Sequence, residues 1–187
     1  MTNKSFLGQS SVRGLRNNNP GNLRRTNEKW QGKVPFSQST DNEFEQFITV
    51  AWGLRAMYKN MITHIGRGKN TISKLISVYA PPNENDTQAY VNQVAQSVGI
   101  SATATLTANS ETIIKLAKAM VRVELGAPAA AKLDNNDYQE AWGLMNSSVG
   151  ELSEAVVIGS VPKKCPYCLE IIGAVTLFFF TYIGVAF

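Results

Sequence analysis

The sequence predicts a mainly α-helical domain with a small β element near its N-terminus and a C-terminal hydrophobic helix that reads as transmembrane. Three observations carry this. The hydrophobic period changes to a helical one near Val50, where Val50, Leu54, Met57, Tyr58, Met61 and Ile65 share a face. The chain before that point is punctuated by Asn, Pro and Gly and has no helical stripe. Residues 171–187 form a run of 17 without a charge.

Taken in order, residues 1–12 are polar and are expected to be a flexible N-terminus. Residues 13–25 follow, with Asn17-Asn18-Asn19-Pro20-Gly21-Asn22 at their centre. Asparagine bonds its own backbone and tolerates left-handed conformations, so this stretch is expected to be an ordered turn. Residues 30–36 and 44–47 read as short strands, with Asp41 and Asn42 in the turn between them. Glu43 and Glu45 flank Phe44 on a strand face expected to meet solvent.

After the helix that starts at Val50, Ile72, Leu75, Ile76 and Tyr79 mark a second helix over 70–79. Pro81 and Pro82 stop it, because proline lacks an N–H and restricts the residue before it. Asn83 or Asp86 can cap a third helix, whose stripe is Tyr90, Val91, Val94 and Val98. Small polar residues then run to Asn109. Ser110 is expected to cap a long helix through Leu125, with Glu111 in its first turn. An Ala/Pro loop leads to a last helix capped by Asp134 or Asn135. The domain is thus expected to span 13–146, with a linker over 147–164 and an anchor over 165–187.

Charge and composition narrow the function classes. Apolar residues make up 44% of the chain and charged residues 17%, a globular balance. Residues 1–80 hold 12 Lys/Arg against 4 Asp/Glu, so this half either meets something anionic or is a solvated basic face. Nucleic acid, an acidic glycan and a lipid headgroup all suit it, and no specific nucleic acid partner is expected. The first residues contain no apolar run of secretory length. At ~1.5 Å per residue, 171–187 reach roughly 25 Å, close to a bilayer core, and Lys163 and Lys164 stand before them. A buried terminal helix or strand is the other reading. Cys165 and Cys168 are two thiols with too little chain after them for a redox domain and too few for a zinc site, leaving a structural disulfide or an acylation site. His64 is the one histidine, so there is no His-rich metal cage; with no phosphate-cradling Gly loop or nucleotide motif either, no metal and no cofactor are expected.

The candidate chemistry lies with carboxylates. Ile113, Ala117 and Met120 form an apolar face, and the next position on it is Glu124. A carboxyl there is desolvated and sits at the negative end of a helix dipole; both raise its pKa. An acid kept protonated near neutral pH is what glycosidic cleavage requires. The other reading is a glutamate that reaches past the helix end to solvent. Glu84 and Asp86, in the Pro-Pro turn, form a second acidic pair; alternatively they are a first-turn acid and an N-cap. His64, at a helix C-terminus, reads as structural.

Arg13-Gly14-x-Arg16-Asn17-Asn18-Asn19-Pro20-Gly21-Asn22, Trp30-x-Gly32, Phe44-x-x-Phe47, Gly53-x-Arg55-Ala56, Tyr79-Ala80-Pro81-Pro82-x-Glu84-Asn85-Asp86-Thr87 and Glu124-x-Gly126 resemble motifs of a small family of bacteriophage and prophage virion proteins. The resemblance covers roughly 13–146. The stretches 118–126 and 86–94 are in turn similar to the catalytic-Glu helix and a later Tyr-Val helix of lysozyme-like lytic transglycosylases. Leu125 stands where that superfamily has Ser, and the two helices come in reversed order, which implies a permuted α+β lysozyme-like fold. The second resemblance implies a peptidoglycan-degrading enzyme with Glu124 as the acid, Glu84 assisting, and Arg16, Asn17, Asn18, Asn19, Asn22, Asp86 and Tyr90 lining a groove for glycan strands. The first implies a virion location, with other virion proteins as partners, and the tail adds a phage or host inner membrane. A non-catalytic, membrane-anchored virion protein is the competing reading.

Overall fold

The computed structural model describes residues 4–82 and 86–146. Glu84, the linker 147–164 and the hydrophobic segment 165–187 with its two cysteines lie outside the described residues. Among those described, no helix is long and apolar enough to cross a membrane.

Helices dominate, as the period predicts: α1 (Arg13–Arg16), α2 (Val50–Gly66), α3 (Ile72–Tyr79), α4 (Thr87–Val98), α5 (Ser110–Leu125), α6 (Ala127–Ala130) and α7 (Asn135–Gly143). Local chemistry sets their starts. Thr71 accepts the Lys74 N–H at 3.2 Å, and Asp86 accepts that of Ala89 at 3.0 Å. The long helix α5 is capped by Asn109, one residue earlier than expected, through the Thr112 N–H at 2.9 Å. Asp134 and Asp137 form a reciprocal capping box at α7. The Ala/Pro stretch after Gly126 is not wholly loop: Pro128 stands in the first turn of α6, where its missing N–H costs nothing.

The core is built around α2, which packs against α7, α5 and α3, while α4 lies on α3 and α5. Leu54, Met57, Tyr58 and Met61 of α2, Leu75 and Ile76 of α3, and Ile113, Leu116, Ala117 and Met120 of α5 are all fully buried in this packing. Two polar side chains that enter this core find carbonyl partners. The Tyr58 hydroxyl donates to the Tyr138 carbonyl at 3.1 Å, and Arg55 Nε to that of Leu144 at 2.8 Å. Residues 4–12 lie against this body: Lys4 Nζ pairs with Asp137 at 2.7 Å, and the Phe6 N–H donates to Asn18 Oδ1 at 2.8 Å.

The β element is smaller than the strands read over 30–36 and 44–47. It consists of two isolated antiparallel bridges, Arg24 with Phe44 and Lys33 with Phe47. The segment 43–48 is the shared middle. Its Glu45 N–H donates to Leu23 on one side, and its Gln46 carbonyl accepts from Val34 on the other. Side chains, more than a ladder, hold it. Asp41, which is buried, accepts from Arg13 Nε and Nη2, Asn17 Nδ2 and the Glu43 and Phe44 N–H groups. Glu45 departs from the solvated position expected of it: it is 1% exposed and paired with Lys33 at 2.8 Å. Glu43 is exposed and meets Arg13.

The Asn-rich loop packs directly onto α2. At Gly53 the helix backbone approaches the Asn18 carbonyl so closely that any Cβ would overlap it. This glycine is the reason the loop and helix can touch.

Candidate functional site

Glu124 sits in the last turn of α5, four residues beyond the fully buried Met120. The apolar stripe therefore carries its carboxyl to the edge of the core, half-buried. Two neutral donors hold it. Asn22 Nδ2 donates to Oε2 at 2.9 Å, and the Tyr90 hydroxyl donates to Oε1 at 2.8 Å. Tyr90 comes from α4, whose packing on α5 brings the ring to the carboxylate. Asn22 comes from the Asn-rich loop, where its backbone is left-handed with φ 45°. Just before it, the Gly21 carbonyl accepts a hydrogen bond from the Tyr79 hydroxyl.

Burial pushes the Glu124 carboxyl above its ordinary value, against the opposing effect of the bonds from Asn22 and Tyr90. Burial also pushes the Tyr79 and Tyr90 phenols up, and the nearby Glu124 charge adds to it. Both phenols thus stay neutral donors.

Glu124, Asn22 and Tyr79 open onto a cleft of about 540 Å³, while Tyr90 is buried behind the carboxyl and is not among the lining residues. Asn22, Arg24, Glu28, Trp30 and Phe44 line one part of it, from the N-terminal loops. Asn60 and His64, one turn apart on α2, and Val78, Tyr79 and Pro81 at the end of α3 complete the wall, with Glu124 inside. His64 is held below its ordinary value by burial first, then by the charges of Arg67 and Lys69. It forms part of the cleft wall, beyond the structural role expected of it. Among the described residues, no group of three or more His, Cys, Asp or Glu side chains could hold a metal ion.

The expected site residues divide. Glu124, Asn22 and Tyr90 meet through hydrogen bonds. Asn17, Asn18 and Asn19 are buried, and their amides hold the loop instead of lining the cleft. Asn17 bonds Asp41 and Gln46; Asn18 bonds Ser5 and the Phe47 carbonyl; Asn19 bonds the Leu23 and Glu45 carbonyls. Arg16 donates to the Ser10 and Ser11 carbonyls and is not among the cleft-lining residues. Asp86 is exposed and caps α4. Trp30, Phe44, Asn60 and Tyr79 were not singled out as site residues from the sequence. The only signal for Asn60 and His64 is their four-residue spacing on the polar side of α2.

Chemically, the cleft offers one desolvated carboxyl with fixed donors, beside aromatic and amide surfaces. Such a set can hand a proton to an oxygen atom of a bound molecule.

No family model matches the chain. Over 121 residues it is 36% identical to Protein P5 of Pseudoalteromonas phage PM2, an alignment that covers 63% of this chain and 73% of that protein. A bacteriophage relative is what the first motif resemblance leads one to expect. At this identity and coverage, the chain belongs to the family of Protein P5 of Pseudoalteromonas phage PM2.

Proposed function

We propose that this chain is a virion-associated, peptidoglycan-degrading enzyme that cleaves glycan strands in the manner of a lysozyme or lytic transglycosylase. The observation that carries the reading is the Glu124 carboxyl, pushed up by burial and held by Asn22 and Tyr90 inside an open cleft. A filled core around Glu124 would have argued for a purely structural protein.

In this reading Glu124 gives its proton to the glycosidic oxygen as the C1–O bond breaks. The departing sugar leaves as an alcohol, and positive charge develops at C1. The carboxylate, now charged, takes the proton of the incoming nucleophile, either water or the 6-hydroxyl of the same sugar. Its bonds from Asn22 and Tyr90 favour that charged form. Trp30 and Phe44 offer stacking surface to pyranose faces, and Asn60 and His64 offer polar contacts to sugar hydroxyls. Glu84 is assigned an assisting part, and residues 165–187 a membrane-anchoring one, on the sequence alone.

The test is a zymogram of the full chain in detergent on purified peptidoglycan, with Glu124→Gln beside it. Clearing by the parent, reduced ~10²–10⁴-fold in the variant, supports the proposal. No clearing by a folded parent overturns it and leaves the anchoring role within the virion.

A further inference from the structure

One hydroxyl on the cleft wall does not touch the carboxyl directly yet bears on its partner. Tyr79 ends α3 and donates to the Gly21 carbonyl. That carbonyl belongs to the peptide unit joining Gly21 to Asn22. The N–H of the same unit donates to the Asn19 carbonyl at 2.9 Å. The peptide plane is therefore gripped at both ends, by a helix terminus on one side and by the Asn-rich loop on the other. Its orientation is half of what fixes φ at Asn22, which is 45°. Left-handed backbone costs a non-glycine residue free energy and persists where surrounding contacts hold it. In this conformation the Asn22 amide reaches Glu124 Oε2 at 2.9 Å. Space is equally constrained, since a Cβ on Gly21 would meet the Tyr79 hydroxyl and the Met57 sulfur.

We propose that Tyr79 is a positioning residue: by holding the Gly21–Asn22 peptide, it keeps the Asn22 amide on Glu124 and so sets how readily that carboxyl gives up its proton. This rests on the reading of Glu124 as the proton donor. Other groups also face the carboxyl or share its cleft: Tyr90 from α4, His64 from α2, and Arg24 and Glu28 from the loop wall. Arg122 precedes it on its own helix. All are left unchanged in the test.

The experiment is a carbon-detected NMR titration of the Glu124 carboxyl in the full chain in detergent, comparing the parent with Tyr79→Phe, Asn22→Ala and the double variant. Asn22→Ala removes a bond that favours the charged form, so the midpoint rises. Tyr79→Phe keeps the ring and loses only the hydroxyl; it raises the midpoint to the same value. The double variant rises no further, because both changes break one chain of contacts. Two results overturn the proposal: a Tyr79→Phe midpoint equal to that of the parent, or shifts that add in the double variant. The titration needs no turnover, so a parent that cleaves nothing sinks the peptidoglycan reading without touching this outcome.

Discussion

The Tyr90 hydroxyl donates to Glu124 Oε1 at 2.8 Å, from a helix that begins beyond the Pro-Pro turn to one that ends at Leu125. This bond favours the ionised carboxyl, whereas burial disfavours it. Removing it shifts the balance toward the acid. Tyr90→Phe is therefore expected to move the alkaline limb of the pH–rate profile to higher pH. It should also lower the rate roughly 10- to 100-fold, since a hydrogen bond to a charged group is worth ~1.5–3 kcal/mol. Turbidity clearance of peptidoglycan across pH measures both; an unmoved limb shows that Tyr90 does not tune the acid.

Asp41 governs the β element. Arg13 beside it, ahead of its bonds from Asn17 and the Glu43 and Phe44 N–H groups, holds its carboxyl well below the usual range despite burial. With a depressed folded pKa, its stabilisation is present above the unfolded value near 3.8 and is lost as pH falls below it. Asp41→Asn is expected to cost roughly 2–4 kcal/mol at pH 7 by stranding the Arg13 and Asn17 donors. The gap to the parent should close as pH drops below about 3.8. Thermal melts from pH 2 to pH 7 read this directly; a constant gap argues that lost packing, not charge, sets the cost.

The sequence made the helices legible because their apolar stripes repeat at helical spacing and their ends carry Pro, Gly, Asn or Asp. Ile72, Leu75 and Ile76 show this for α3, and Asp86 and Asp134 are capping residues as expected. The β element was legible only as a location. Two bridges leave no alternation to read, and the stabilising contacts are side-chain amides and Asp41 reaching backbone groups far along the chain. Asn17, Asn18 and Asn19 illustrate the ambiguity. An amide that can bond a sugar can equally bond a carbonyl, and burial decides between them. In contrast, Glu124 could be placed at the end of an apolar face from spacing alone. Its neighbours Asn22 and Tyr79 lie 102 and 45 residues away in sequence, and nothing local joins them to it.

Gly53 tests the junction between loop and helix. By intrinsic propensity Gly53→Ala should stabilise α2 by up to ~1 kcal/mol. The added Cβ meets the Asn18 carbonyl, however, and the loop that carries Asn22 must shift. The expected net effect is a destabilisation of ~1–3 kcal/mol, the usual range for overpacking. Denaturant unfolding of the two proteins decides the sign, and a stabilised variant would mean that the close approach is absent.

Glu124 also makes a stability prediction independent of any activity. Its folded pKa is raised from the ordinary 4.5, so between the unfolded and folded values the folded chain binds more protons than the unfolded one. Stability from this group is thus fully present below 4.5 and falls as pH rises through the folded value. Glu124→Gln removes the titration while keeping the shape. The glutamine oxygen can accept from Tyr90, and Asn22 can turn its amide to accept from the new NH₂ group. Below about pH 4 the two proteins should therefore melt within ~1 kcal/mol of each other, the scale of one exchanged hydrogen bond. At pH 7 the variant should be the more stable of the two, because it no longer ionises a carboxyl at the edge of the core. The difference should appear only above the unfolded pKa and level off once the folded carboxyl is fully charged. A variant less stable than the parent at pH 7, with equal stability at pH 4, would mean that Asn22 and Tyr90 outweigh burial and hold Glu124 ionised, which removes the proton the proposed reaction needs.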